Sequence, residues 1–247
     1  MNMSSNTILI TGGASGIGYA LAERFIQAGN KVIICGRRAD KLAEAKVALP
    51  GLVTYTFDVS REEERIALFK QVTQEHPETN ILLNNAGIMR YQDFTKPEDW
   101  KETVSEIEIN LAAPVHLSRL FTEHLMRQKN AAIMNVTSGL AHVALALTPV
   151  YSATKAALHS FTLSLRHLLA GHSIRVIEIS PPHTNTDLGI PGGNAVGIPV
   201  ELFADETMKA LALGEDEITY GWSQLTAQAS RAERDEMFKQ VNAKASV

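Results

Sequence analysis

Residues 7–28 read TILITGGASGIGYALAERFIQA. Thr7 to Thr11 is a short apolar, β-branched run, as a buried strand requires. After the glycines, Ile17, Leu21, Phe25 and Ile26 recur at helical spacing until Gly29 and Asn30 stop the pattern. The stretch therefore predicts a strand, a glycine turn and a helix from about Ser15 to Ala28. Glycines let a backbone approach a phosphate closely, and a helix N-terminus adds unpaired N–H groups and a partial positive charge. The spacing is Gly12-x-x-x-Gly16-x-Gly18, not the more common Gly-x-Gly-x-x-Gly. A tight strand-to-helix turn also needs glycine, so this turn alone reads two ways. On the first strand of an alternating sheet it reads as a dinucleotide site.

The rest of the chain repeats that alternation. KVIIC (31–35) is a second strand, followed by the helix RADKLAEAKVAL (38–49), which Pro50 and Gly51 close. LVTYTF, ILLNN, AAIMNVTS and SIRVIEIS supply four more strands. Ser60 with Glu63, and Thr95 with Glu98, have the spacing of capping boxes that open helices. A long helix is predicted from Trp100 to Met126, and another after Tyr151. The strands are continuous apolar runs, as in a parallel sheet covered on both faces. The expected fold is an α/β doubly wound (Rossmann), mostly parallel sheet with helices on both faces. No linker or repeat divides residues 1–247, so one domain is expected.

Composition excludes several classes. The net charge of −4, with 45% hydrophobic and 20% charged residues, gives no electrostatic reason for nucleic acid. A single cysteine, Cys35, cannot form an internal disulfide, and it sits in an apolar strand. The first residues carry no basic signal-peptide segment, and no apolar run approaches membrane length. A cytoplasmic protein without a membrane partner is expected. The eight histidines include no His-x-x-x-His pair and have no cysteine partners, so no metal site is expected.

Residues 138–155 read SGLAHVALALTPVYSATK. On a helix, Tyr151 and Lys155 share one face, one turn apart. An ammonium at that range favours a phenolate and lowers its pKa by roughly 1–3 units. A tyrosine tuned in this way transfers protons near neutral pH. Such pairs also arise on helices by chance. Ser138 ends a strand and offers a hydroxyl to a substrate oxygen. Leu140, Ala141, Val143, Ala144 and Leu145 suggest a partly apolar substrate wall, or equally an inward-packed turn. Further back, Pro114 cannot donate an N–H to the carbonyl of Asn110, four residues earlier. A local kink with a freed Asn110 carbonyl is predicted, serving either a water or only the bend.

Together, Thr11-Gly12-x-x-x-Gly16-x-Gly18, Asp58-Val59, Asn84-Asn85-Ala86-Gly87, Asn110, Ser138 and Tyr151-x-x-x-Lys155 resemble the short-chain dehydrogenase/reductase family, in its single-domain branch of about 250 residues. KVIICGRR and ISPPHTNTDL are similar to the DltE-type group of bacterial oxidoreductases, a name that carries no substrate. The resemblance implies an NAD(P)-dependent oxidoreductase acting on a carbonyl or secondary alcohol. Tyr151 would be its general acid or base, and Lys155 would tune that tyrosine and hold the nicotinamide ribose. Ser138 would bind the substrate oxygen, and Asn110 would place a relay water. Gly12, Ser15, Gly16, Ile17 and Gly18 would cradle the cofactor. Asp58 and Val59 would meet the adenine, while Asn84, Asn85, Ala86 and Gly87 would pack beside the cofactor. Pro181, Thr184 and Thr186 would lie by the nicotinamide.

Departures from the family pattern follow Pro181. Pro182 stiffens the loop, and His183 faces either substrate or solvent. A glycine- and proline-rich segment, within about 184–205, falls where the family keeps a substrate lid. The polar tail from Gln224 is expected to be helical, without chemistry. Gly36, Arg37 and Arg38 follow the second strand where an acid would favour NAD, so NADP(H) is favoured over NAD(H). Against this, the two arginines also suit the solvated start of a helix, and Ser15 stands where many NADP-preferring relatives carry a basic residue. Relatives of this kind pair through the Asn110 and Tyr151 helices, so a homodimer or homotetramer is expected. The rival reading is a dinucleotide-bound sensor or scaffold without turnover.

Overall fold

Successive side chains of a strand face opposite sides of a sheet, and here both sides are apolar. Ile8, Ile10, Val32, Ile34, Leu83 and Met134 lie in one core cluster, while Leu9, Ile33, Leu82, Ile133 and Val176 lie in another. The computed structural model describes residues 2–97, 99–189 and 196–243. Among them, β1 (Thr7–Thr11), β2 (Lys31–Gly36), β3 (Val53–Thr56), β4 (Ile81–Asn84), β5 (Ala131–Val136), β6 (Ile174–Ser180) and β7 (Glu217–Thr219) form one sheet. Its order is β3-β2-β1-β4-β5-β6-β7, and every pairing is parallel. The expected fold is therefore observed.

One face is covered by α1 (Gly16–Gln27), α2 (Ala39–Ala48) and α7 (Val200–Leu213), through residues such as Leu21, Phe25, Leu42 and Phe203. The other is covered by α3 (Glu62–Glu75), α5 (Ala113–Leu125) and α6 (Pro149–Leu168), through Leu68, Val72, Leu117, Phe121 and Leu165. The chain turns outward from β1 to β2 and β3, then crosses to β4 on the other side of β1. That switch leaves a crevice at the carboxyl ends of β1 and β4, where ligands of open α/β sheets bind.

Several local expectations are corrected. Ser60 does not cap α3. Its N–H is taken by Asp58 Oδ1 at 2.9 Å, and the N-cap is Arg61, with no side-chain cap bond. Glu62, Glu63 and Glu64 in the first turn favour the helix dipole instead. Thr95 does not open the next helix: Asp99 caps α4 (Trp100–Ile107) by accepting from Lys101 N at 3.0 Å. Glu98 lies outside the described residues. The long helix is not continuous. A π-helical turn, Glu108–Ala112, separates α4 from α5, and Ala113 N–H reaches back five residues to Glu108 O. Pro114 occupies the second position of α5. This is the break that its missing N–H demands. The helix α7 and the strand β7 were absent from the sequence reading, as was the division of the tail into α8 (Trp222–Gln228) and α9 (Arg231–Asn242).

Candidate active site

The crevice is a cleft of about 1070 Å³, large enough for a dinucleotide and a second small molecule. Its floor begins at the end of β1. Thr11 Oγ1 accepts from Asn85 N and Ala86 N, both at 3.0 Å, and Asn85 Nδ2 donates to Thr11 O and Gly12 O. Gly12 has φ +66°, and a Cβ there would sit 2.8 Å from Ala86 Cα. Gly16 has φ +55°, also a glycine conformation. Ser15 is the N-cap of α1 but makes no side-chain cap bond. With Gly16 and Ile17 it lines the cleft, so the helix N-terminus and its N–H groups border the space. A phosphate group fits this cradle.

At the far end of β2, an added Cβ at Gly36 would find only Leu42 Cδ2, at 4.0 Å. Arg37 and Arg38 line the cleft beside it, and Arg38 Nη2 donates to Ser15 Oγ at 3.0 Å. Asp58 and Val59 line it after β3, and Asn85, Ala86 and Gly87 after β4. Three residues of the family motif, Gly18 and Asn84 expected beside the cofactor and Asn110 expected to place a relay water, are not among those that line the cleft. Gly18 is the close-packing point of α1, where a Cβ would meet Asn85 Nδ2 at 2.4 Å and Gly12 O at 2.6 Å. Asn84 is buried between layers, donating to Asn135 Oδ1 and Ser118 Oγ. Asn110 is fully buried under Gly87. Its side chain accepts from Ile88 N at 2.9 Å and donates to Ile88 O at 2.8 Å and to Thr154 Oγ1. An added Cβ on Gly87 would meet Asn110 Oδ1 at 3.4 Å and Lys155 Nζ at 3.6 Å.

Ser138, Tyr151 and Lys155 all line the same cleft. Ser138 opens a 3₁₀ turn, Gly139–Ala141, and its Oγ accepts from Leu140 N at 3.1 Å. Tyr151 lies within hydrogen-bonding reach of Ser138. Lys155 Nζ donates to Val136 O at 2.8 Å and sits 5.5 Å from the centre of the Tyr151 ring. The expected lowering of the tyrosine pKa is not found. Burial pushes Tyr151 up to about 12, the Ser138 hydrogen bond opposes this, and the charge of Glu106 adds to it. Burial pushes Lys155 down to about 8. Desolvation of both groups dominates, and the ammonium is directed at a strand carbonyl.

The outer wall contains Pro181, Pro182, His183, Thr184 and Thr186. Thr184 bridges to Ile198, and Asn185 N donates to Ile198 O at 2.8 Å, so the base of this segment closes on itself. Residues 190–195 of the expected lid lie outside the described residues, and residues from Val200 onward belong to α7. The polar tail, expected to carry no chemistry, reaches the site. Val241 lines the cleft, as does Trp222 just ahead of the tail, and Asn242 accepts from Ala146 N at 2.6 Å and donates to Ala144 O at 3.0 Å. Leu140 and Leu145 do face the cleft, while Val143 is buried. Nothing in the polar tail sequence signals these contacts.

The comparisons agree with this geometry. Residues 6–193 match the short chain dehydrogenase family. The chain belongs to that family. Among its relatives is an uncharacterized oxidoreductase DltE of Bacillus subtilis (strain 168), 48% identical over 98% of both chains. A probable NADP-dependent dehydrogenase of Haemophilus influenzae is 32% identical, covering 72% of this chain and 71% of its own. A short chain dehydrogenase from Burkholderia cenocepacia, solved in complex with NADP, superposes with a TM-score of 0.84 at 28% identity, covering 98% of this chain and 99% of its own. As a short-chain dehydrogenase, the chain is an oxidoreductase with a dinucleotide-binding fold. No described helix is long and apolar enough to cross a membrane.

Proposed function

We propose that the protein interconverts a carbonyl and a secondary alcohol with a nicotinamide dinucleotide, Tyr151 acting as general acid or base. The observation that carries this reading is the convergence of Ser138, Tyr151 and Lys155 on one cleft wall, opposite the glycine cradle. When bound, the dinucleotide supplies the two-electron transfer at the substrate carbon. Ser138 Oγ accepts a backbone N–H and lies within hydrogen-bonding reach of Tyr151, so its O–H can turn from the tyrosine to a substrate oxygen. Tyr151 keeps its proton at neutral pH, so it is set to protonate that oxygen in reduction; in oxidation it takes the alcohol proton only after giving its own to solvent. Lys155 holds positive charge behind the tyrosine, and Asn110 fixes the Ile88 backbone beneath the same wall. Of the lid expected at 184–205, only the part ahead of α7 is read as the substrate lid, since Phe203 and Ala204 of α7 are packed into the core.

NADP(H) is favoured over NAD(H). Support comes from the open Gly36, the adjacent Arg37 and Arg38, and the Arg38 contact with Ser15 across the glycine turn. A relative named as probably NADP-dependent and a similar structure that holds NADP point the same way. We also infer a homo-oligomer working in the cytoplasm. Trp100 on α4 and Leu168 on α6 are 69% and 71% exposed, apolar surface that a second copy would cover. Light scattering at micromolar concentration should give at least twice the chain mass, and a monomer mass would refute the pairing. The enzyme is tested by screening aldehydes, ketones and alcohols with each cofactor at the nicotinamide absorbance. Turnover that survives Tyr151→Phe undiminished would refute the assigned chemistry.

A further inference from the structure

We propose that His142, His159 and Glu178 form a binding site for one divalent transition-metal ion of the zinc class. One nitrogen or oxygen from each of the three lies within 4.8 Å of the others. They come from different elements: His142 closes the 3₁₀ turn after Ser138, His159 lies on α6, and Glu178 lies on β6. A search for histidines close in sequence does not find such a set.

Glu178 is the anchor. It stands in the strand IRVIEIS and is only 3% exposed. A carboxylate buried in this way needs compensation. Its Oε1 accepts from Thr137 Oγ1 at 2.6 Å, and His159 Nδ1 approaches Oε2 at 2.8 Å. The Thr137 contact orients the carboxylate, as partners of metal ligands do, while the His159 contact brings two ligand side chains together. His142 is the residue they leave unexplained. Its ring stands edge-on to that of His159, with centroids 4.8 Å apart, and takes no hydrogen bond from the described residues. Glu217 on β7 and Arg234 on α9 bring charges of opposite sign near the pair.

Two imidazoles and one carboxylate suit zinc and its neighbours, with a fourth position left for water. Bonds of about 2.0–2.2 Å would draw the widest pair of donors together by roughly 1–1.5 Å. His142 is half-buried and can turn by that amount. The ion would replace the proton on His159 Nδ1, which leaves to solvent, so binding weakens as pH falls. Once bound, the ion ties the turn behind Ser138 to the helix that carries Tyr151 and Lys155.

The full chain, freed of metal with a chelator, is titrated with Zn²⁺ by calorimetry and with Co²⁺ by visible absorbance. The wild type should take one equivalent, and Zn²⁺ should raise its melting temperature. His142→Ala, which removes no side-chain hydrogen bond, should lower the affinity by roughly tenfold or more and abolish the thermal shift. His172→Ala, at an exposed histidine elsewhere, should change neither. Zn²⁺ binding by the wild type no tighter than by His142→Ala, whether both bind or neither does, would overturn the site.

Discussion

At the ends of β1 and β4 the cleft floor is fastened by neighbours in the sheet, through the Thr11 hydroxyl and the Asn85 amide. Three glycines of the turn, Gly12, Gly13 and Gly18, have no room for a methyl group. The outer wall at residues 144–146 is fastened by two side chains: Ser152 on α6, whose Oγ accepts from Leu145 N at 3.2 Å, and Asn242, about a hundred residues further on. The helix that delivers it, α9, buries none of its own residues. Arg234 pins α9 to the carbonyls of Thr226 and Ala227. Few buried contacts and many exposed hydrogen bonds mark the low-stability end of a structure. In the proposed enzyme the cofactor side therefore has the rigidity of the core, and part of the substrate side rests on a surface helix. A common cofactor and a variable substrate would call for that division.

The largest expected effect lies where the two sides meet. Tyr151→Phe should lower kcat by about 10²–10⁴-fold while the cofactor Kd stays nearly unchanged. If half of kcat remained with chemistry rate-limiting, the proton would come from some other group, and the wall would not be catalytic.

The next effect belongs to the floor alone. With both cofactors at one substrate concentration, kcat/KM for NADP(H) should exceed that for NAD(H) by roughly ten- to a hundredfold, from a charge-assisted contact of about 1.5–3 kcal/mol. Gly36→Asp with Arg37→Ala should remove or reverse the preference. Equal values in the wild type would show that the arginines only solvate the start of α2.

The smallest effects, taken as a pair, test the comparison itself. Gly18→Ala should destabilise the fold by about 1–3 kcal/mol, because its methyl group displaces Asn85 from the turn. Asn242→Ala removes three exposed hydrogen bonds, two of them to residues 144–146, so the denaturant midpoint should barely move. Its signature should be a KM raised severalfold at nearly constant kcat. A large loss of stability in Asn242→Ala, or none in Gly18→Ala, would erase the distinction between floor and wall.

The sequence was informative where structure follows from local rules. The glycine turn, the start of α1 next to Ser15 and the break ahead of Pro114 each follow from the backbone chemistry of neighbouring residues. It was silent where the outcome depends on long-range packing. The family motif marks Gly18, Asn84 and Asn110, but only the fold shows that they support the cleft from behind. A four-residue spacing brings Lys155 near Tyr151, yet burial, which spacing does not report, decides their pKa directions. β7 has a single buried residue, Ile218, so it offered no apolar run to read. Glu178 did offer a signal, a lone carboxylate in an apolar strand, but its histidine partners are nearly twenty and more than thirty residues away.

The Asn242 contact also has a consequence in time. A chain is made from its N-terminus at about 5–20 residues per second, and its parts fold as they emerge. The glycine turn, β4 and the Tyr151 helix are all synthesised before β7. Asn242 follows Ala146 by 96 positions, so it reaches the ribosome exit about 5–20 seconds later. During that interval the nascent protein has its nucleotide cradle, and its substrate wall is tied to α6 by Ser152 but still lacks the Asn242 contacts. A cofactor present in the cell can therefore settle into a half-made enzyme and stabilise it, before any substrate finds a finished place to bind.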